Sequence, residues 1–133
     1  MQVKILAESK CQIVGVVSGD VCAAEAFLTQ GEESTSGSRS GLMGMLKHVA
    51  QEGLQSMPAA WSHQVNKKDQ IYEFVKGPLR LFYFKGEGSQ IVVCTSGILK
   101  KTQKVDKASV ARAAEARKQY MAAHAAGQIE VVE

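Results

Sequence analysis

The sequence lacks the patterns of disulfide-stapled, zinc-dependent and membrane-spanning proteins. It has three cysteines in 133 residues (Cys11, Cys22 and Cys94), and no two of them form a C-x-x-C pair. Neither a disulfide framework nor a zinc site is expected, and a chain of this length buries enough surface to fold without them. No apolar run approaches the roughly 20 residues that a membrane helix requires. With no secretory leader at its start, the chain is expected in the cytoplasm, with reduced thiols and no membrane contact.

Motifs of the large enzyme classes are also missing. The chain has no P-loop, no G-x-G-x-x-G, no nucleophile elbow and no H-E-x-x-H. Its three histidines, His48, His63 and His124, have no ligand spacing with any cysteine or acidic residue. No metal and no cofactor are therefore predicted.

Positive charge is concentrated in the second half of the chain. The formal net charge is +3, from 16 Lys and Arg and 13 Asp and Glu. Residues 67–133 hold twelve of the basic residues against seven acidic ones, whereas residues 1–66 hold four against six. This bias is typical of proteins with a phosphate-rich partner. A solvated basic face without a partner is the alternative that charge alone leaves open.

The first thirty residues predict a strand and a helix. Residues 3–6 are strand-like, and the apolar run 13–17 fits either a second strand or a packed lead-in. Asp20 is expected to cap a helix that ends at Gly31. The following residues, 32–40, are small, charged or glycine, and we expect them to form a loop.

A second helix and a three-stranded meander are predicted next. The helix begins near Ser40 and ends at Gly53, with Leu42, Met45, Leu46 and Val49 at the spacing of one helical face. Residues 71–75, 79–84 and 90–95 are apolar and β-rich, and turn residues separate them. Short turns between strands predict antiparallel pairing. The middle strand is apolar on both faces and is expected to be central and covered on both sides.

The C-terminal segment predicts one more helix. Asp106 is expected to cap it and Gly127 to end it, and residues 128–132 are suited to an edge strand. Gly97 interrupts the third strand of the meander, where a bulge or kink is expected. The predicted fold is α+β, with a small antiparallel sheet, two N-terminal helices and one C-terminal helix, and residues 1–133 form one domain.

Arg80 is the lone charge in the most apolar strand. Such a charge is costly to bury unless it meets an opposite charge. Two interpretations stay open: Arg80 pairs with Glu73 across the hairpin, or its guanidinium is held on the sheet to bind a phosphate. Under the second interpretation no protein partner is lost when Arg80 is removed. Stability is then expected to change little or to rise.

Two groups of basic residues accompany Arg80. The first lies just before the last helix and comprises Lys100, Lys101 and Lys104. A helix N-terminus also favours anions, so these lysines are predicted to contact phosphates, although Asp106 at the cap would compete for that site and a plain solvated turn is the alternative. The second group precedes the meander and comprises His63, Lys67 and Lys68. His63 is a candidate acid or base, although an exposed loop histidine is the alternative.

Taken in order, these segments resemble the phage-derived, HigB-like toxins of the RelE/ParE superfamily. The resemblance covers roughly residues 42–122. It rests on four ordered runs: Ile71-Tyr72-Glu73-Phe74, Leu79-Arg80-Leu81-Phe82-Tyr83-Phe84, Ile91-Val92-Val93 and Lys100-Lys101-Thr102-Gln103-Lys104. A helix with spaced alanine, arginine and tyrosine follows, here Ala111, Arg112, Arg117 and Tyr120.

The resemblance implies a toxin of a toxin–antitoxin pair that cleaves mRNA on the ribosome without a metal. It implies a RelE-like sheet, and a cognate antitoxin, often a helix-turn-helix protein, as the partner beside the ribosome and mRNA. By position, Arg80 matches the family's sheet arginine, and Lys100 and Lys101 match its basic segment after the last strand.

The residues fit such chemistry. Cleavage by a ribose 2′-hydroxyl needs charge stabilisation at the phosphate, which Arg80 can supply, and proton transfers, for which Lys101, Tyr83 and His63 are the candidates. Lys67, Lys68, Lys100 and Lys104 are expected to bind the RNA. Two alternatives stay open: a toxin that inhibits gyrase, and a non-catalytic accessory protein that binds nucleic acid or a partner protein.

Overall fold

The computed structural model describes residues 1–88, 90–102 and 104–133. Ser89, in the predicted glycine-rich turn, and Gln103, in the lysine-rich segment, lie outside the described residues. No helix of the described part is long and apolar enough to cross a membrane.

Eight strands and three α-helices make up the described regular structure. The strands are β1 (Gln2–Glu8), β2 (Gln12–Ser18), β3 (Val21–Cys22), β4 (Ser62–Asn66), β5 (Ile71–Lys76), β6 (Leu79–Lys85), β7 (Ile91–Leu99) and β8 (Glu130–Val132). The helices are α1 (Ala23–Thr29), α2 (Ser36–Glu52) and α3 (Lys107–Ala125). Short 3-10 turns lie at Glu33–Thr35, Leu54–Ser56 and Ala59–Trp61. The α+β prediction is confirmed.

All eight strands belong to one sheet, in the order β4-β5-β6-β7-β2-β1-β8, with β3 paired to β2. The meander of β5, β6 and β7 is antiparallel, as predicted. Two pairs are parallel, β2 with β7 and β1 with β8. The sheet is therefore larger than the meander alone, and the run 13–17 and the C-terminal residues both join it as strands.

The sheet is covered on both faces. Helices α1 and α2 pack on one face, where the core includes the predicted helix face: Leu42, Met45, Leu46 and Val49. Helix α3 packs on the other face, against Phe82, Phe84 and Val93. The residues of β6 alternate between these two cores, so the prediction that this strand is covered on both sides is confirmed.

Both N-terminal helices begin elsewhere than predicted. Asp20 does not cap α1, because Val21 and Cys22 pair with β2 as a short strand before the helix starts at Ala23. The predicted loop 32–40 is wrong beyond residue 35, since α2 already begins at Ser36. The Ser- and Gly-rich start of α2 packs against the turn between β5 and β6, where Lys76 lies over Gly41 and Ser38 lies over Gly77. Arg39 also donates a hydrogen bond to the Glu32 carbonyl oxygen at 2.9 Å.

The C-terminal elements follow the sequence expectations closely. Asp106 caps α3, accepting a hydrogen bond from the Ser109 amide at 3.2 Å, and Gly127 follows the helix with a φ of 66°. Strand β7 is irregular beside Gly97, since three steps on β7 oppose two steps on β6 between Leu81 and Tyr83. The expected bulge is therefore present next to Gly97.

We predict that Gly97→Ala destabilises the fold. A Cβ at this position would overlap the ring of Phe27, which packs directly over the glycine. Crowding of this kind costs about 1–3 kcal/mol, to be measured as the free energy of unfolding in urea. Gly44→Ala is the control, because Gly44 lies exposed in α2 with nothing within 4 Å of its Cβ position. That control is expected to gain about 1 kcal/mol from helix propensity, and equal effects of the two changes would contradict the prediction.

Candidate nucleic-acid interface

A cationic groove lies at one end of the sheet, where β6 begins and β7 ends. It has a volume of about 340 Å³ and is lined by Gly77, Pro78, Arg80, Lys100, Lys101 and Thr102. The Lys100 amide donates a hydrogen bond to the Pro78 carbonyl oxygen at 2.7 Å, which extends the pairing of the two strands to the groove. The fold thus brings together three of the residues singled out in the sequence.

Arg80 is anchored by the protein itself. Its Nε lies 3.4 Å from Oε2 of Glu73, and its Nη1 donates to the carbonyl oxygens of Gly77 at 2.7 Å and Leu79 at 2.9 Å. The ion pair with Glu73, one of the two interpretations, is therefore present. The expectation that removal of Arg80 takes away no protein partner is wrong. Among the described residues no hydrogen bond engages Nη2, so the guanidinium keeps donors for a ligand in the groove.

Glu73 also links Arg80 to His63. Its side chain is 8% exposed, and its Oε2 lies 3.7 Å from Nδ1 of His63 on the neighbouring strand β4. The His63 side chain is 59% exposed, so its ring is accessible to solvent, although His63 is not among the residues that line the groove. Sequence reasoning missed this link, because it depends on the pairing of His63 with Glu73 through β4, a strand that was not predicted.

Tyr83 does not share this groove. It is 2% exposed, and it packs in the core beneath α1 and α2, on the face opposite Phe82 and the α3 side. Its hydroxyl lies 2.6 Å from the Ser62 hydroxyl. Burial raises the pKa of Tyr83 to about 12, against the lowering effect of that hydrogen bond. The structure therefore does not bring Tyr83 together with Arg80, and we leave Tyr83 out of the site.

The remaining predicted lysines are spread out. Lys67 and Lys68 are exposed in the turn before β5, at the opposite end of that strand from the residue that pairs with Arg80. A strand of this length separates them from Arg80 by roughly 13 Å along the sheet. Lys104 is exposed between the groove and α3. The roles of these three lysines in RNA binding stay predictions.

The Cys94 thiol lies in the core beneath α1 and α2 and does not line the groove. Burial raises the pKa of the Cys94 thiol, so this buried thiol stays protonated. Among the described residues no three His, Cys, Asp or Glu side chains are grouped as a metal site needs.

Fold and groove together define a small α+β protein whose cationic site is suited to a phosphate. The chain belongs to the family described as phage derived protein Gp49-like (DUF891), whose model matches residues 36–118. This family is associated with RelE-like, toxin-like proteins, which agrees with the resemblance found over residues 42–122. No curated protein matches the chain significantly.

We predict that Arg80→Met destabilises the fold by about 3 kcal/mol, because it leaves the buried Glu73 carboxylate without its partner. The double variant Arg80→Met/Glu73→Gln is expected to recover much of that loss, since no buried charge then remains. A double-mutant cycle on unfolding free energies measures the coupling. Lys118→Met, at an exposed position of α3, is the control and is expected to change stability by less than about 0.5 kcal/mol. Additive effects in the cycle would contradict the ion pair.

We predict that stability falls above pH 10 because of Tyr83. The folded state raises the pKa of Tyr83 to about 12, so the unfolded chain, whose tyrosines ionise near 10, releases the proton first. The stabilisation is present below pH 10 and lost as the pH rises toward 12, and amounts to about 2–3 kcal/mol. Unfolding free energies of the protein and of Tyr83→Phe across this range measure it. The variant is expected to lose less stability, and identical pH profiles would contradict the prediction.

Proposed function

We propose that this protein is a HigB-like toxin of a toxin–antitoxin pair and acts as a metal-independent, ribosome-dependent endoribonuclease on mRNA. The observation that carries the proposal is the convergence of Arg80, Lys100 and Lys101 in one groove. The association of the matched family with toxin-like proteins supports it.

The groove has the chemistry that a phosphodiester needs. When a ribose 2′-hydroxyl attacks the adjacent phosphorus, negative charge grows on the non-bridging oxygens. Arg80 is held by Glu73 and two carbonyl oxygens, so its free donors are oriented before the substrate arrives. Lys100 and Lys101 add positive charge beside it, which attracts the RNA and favours the same transition state.

His63 is the residue best suited to proton transfer. Its Nδ1 lies 3.7 Å from the Glu73 carboxylate, which favours the protonated ring electrostatically, and the exposed ring can exchange a proton with the substrate. In the proposed step the 2′-oxygen–phosphorus bond forms and the bond from phosphorus to the 5′-oxygen breaks. The 2′-hydroxyl proton passes to a base, either His63 or a solvent molecule, and the leaving 5′-oxygen takes up a proton from the Lys101 ammonium group or from a second solvent molecule. A 2′,3′-cyclic phosphate and a 5′-hydroxyl result.

A toxin requires neutralisation, so the proposal includes a cognate antitoxin, of the helix-turn-helix type, encoded beside this gene. An acidic segment of that partner would cover the cationic groove, because opposite charges complement each other there. Ribosome-dependent activity also requires that the protein act in the cytoplasm.

We predict that the purified protein cleaves mRNA on ribosomes and retains this activity in EDTA. Arg80→Ala is expected to lower the single-turnover rate about a hundredfold to a thousandfold per folded molecule, and His63→Gln at least about a hundredfold. The double change Lys100→Ser/Lys101→Ser is expected to weaken binding and to lower its salt dependence by about one unit for each phosphate that the variant no longer neutralises.

The matched control is Lys47→Ser, an exposed lysine on α2 outside the groove, for which no change in rate or salt dependence is expected. Folded fractions are measured for every variant, since Arg80 also stabilises the fold. If the native protein arrests growth but leaves ribosome-bound mRNA intact, the nuclease proposal is wrong, and a supercoiling assay then tests gyrase as the target.

A further inference from the structure

Two thiols share the core layer between the sheet and the helices α1 and α2. Cys22 is 8% exposed and Cys94 is fully buried, and both belong to the same group of packed core residues. All three cysteines of the chain are free. Neither Cys22 nor Cys94 lines the cationic groove, so the proposed cleavage reaction does not use them.

The pairing of the strands places Cys22 and Cys94 on the same flank of β2. Strand β1 pairs along one flank of β2, so β3 and β7 both pair along the other. Cys22 is opposite Val17, and Cys94 is opposite Gly15, two residues earlier on β2. The two Cα atoms are therefore about 7 Å apart, since a strand advances about 3.3 Å per residue. A disulfide usually joins Cα atoms about 4.4–6.8 Å apart, so a small approach of β3 to β7 is enough to form one.

The Cys22 sulfur leans toward Cys94. Residues two apart in a strand face the same side of the sheet, and so do their direct partners on the neighbouring strands, which puts both thiols in one layer. The Cys22 Sγ lies only 2.5 Å from the position that a Cβ of Gly15 would occupy. Because Gly15 is the direct partner of Cys94, the sulfur reaches over the glycine toward the second thiol. Burial raises the pKa of the Cys94 thiol, and the nearby Cys22 thiol adds to that rise.

Cys22 can be reached from outside the core. It lines a polar pocket with a volume of about 290 Å³, whose charged residues are Lys4, Asp20, Glu25 and Glu133. Lys4 is paired with Glu25 at 2.7 Å, so the other two acidic residues leave the pocket negatively charged. A small cationic reagent is therefore attracted to the Cys22 sulfur, whereas the second thiol does not line the pocket and is shielded from solvent.

We propose that Cys22 and Cys94 form a reversible intramolecular disulfide, with a small-molecule disulfide as the oxidant. The Cys22 sulfur attacks one sulfur of the reagent, so that a mixed disulfide forms and the first small thiol leaves with the Cys22 proton. The Cys94 sulfur then attacks the Cys22 sulfur, and the second small thiol leaves with the Cys94 proton. The two protein thiols lose two electrons in total, and the reagent is reduced to two thiols.

The bond would fasten β3 and the start of α1 to β7. The loop that it closes, from Cys22 to Cys94, includes α1, α2 and the strands β4 to β6. Cross-linking a long loop stabilises a fold mainly by restricting the unfolded chain. Under reducing conditions the two thiols stay free, and the bond forms only when oxidised small thiols accumulate. The pair thus makes the stability of the fold depend on the oxidation state of its surroundings.

The test treats the folded native protein with cystamine, a small cationic disulfide, and follows its intact mass and peptide map. The expected result is a transient adduct on Cys22, followed by a protein that has lost two hydrogen atoms and contains a linked Cys22–Cys94 peptide. The second step is expected to be the slower one, because burial keeps the Cys94 thiol protonated. The midpoint of thermal unfolding is expected to rise by several degrees on oxidation and to return with dithiothreitol.

Cys11→Ser is the matched control, because Cys11 is also 8% exposed but does not line the pocket. This variant is expected to form the same link at the native rate, whereas Cys94→Ala is expected to stop at the adduct on Cys22. A native map that shows only mixed disulfides, a link that includes Cys11, or a link that forms only in urea overturns the inference. The native map decides between these outcomes without relying on the variants, and none of them bears on RNA cleavage.

Discussion

Strand β6 is apolar on both of its faces, and the architecture depends on covering both. Helices α1 and α2 bury the side chains of Leu81 and Tyr83, whereas α3 buries those of Phe82 and Phe84. A sheet whose central strands are buried on both sides cannot form from the meander alone, because burial of these side chains supplies the driving force. The helices on opposite faces, far apart in the sequence, are therefore brought into one fold by the same strand.

This double coverage also makes the candidate site rigid. Arg80 is the second residue of β6, beside the buried Leu79, and it is paired with Val75 on one side and Ile98 on the other. Lysines in loops lose much side-chain entropy when they bind, whereas a guanidinium fixed by strand pairing and by Glu73 has lost it already on folding. The fixed position of the Arg80 side chain thus depends on the packed sheet and not on the loops around the groove.

Sequence patterns predicted those parts of the fold that local chemistry decides. The α+β class, the meander, the face of α2 and the Asp106 cap follow from periodicity, turns and capping residues. Strand β4 escaped prediction because Ser62–Asn66 is a polar edge strand, and edge strands need no apolar alternation. The parallel pairs β2 with β7 and β1 with β8 depend on contacts between distant segments, for which a single sequence carries no periodic signal.

The site shows the same division. Arg80 is recognisable in the sequence as a charge within an apolar strand. The lysines after β7 are recognisable as a cluster of positive charge just before a predicted helix. His63 was singled out without its partner, because its distance from Glu73 depends on the unpredicted strand β4. Tyr83 was grouped with Arg80 although the two are three residues apart in a strand. Alternation of side chains puts such residues on opposite faces, so the separation was already present in the sequence.

The two interpretations of Arg80, ion pair and phosphate ligand, are compatible because different nitrogen atoms of the guanidinium can serve each contact. Its Nε lies 3.4 Å from Glu73, whereas no hydrogen bond among the described residues engages Nη2. The negative charge of Glu73 reduces the attraction that Arg80 exerts on a distant phosphate, so Arg80 alone would be a weak site. Among the described residues Lys100 and Lys101 form no salt bridge, so in the proposed function they would supply the long-range attraction. In the proposed reaction Arg80 would contribute the directed contact, because a guanidinium oriented before the phosphate arrives stabilises the transition state more than the bound substrate.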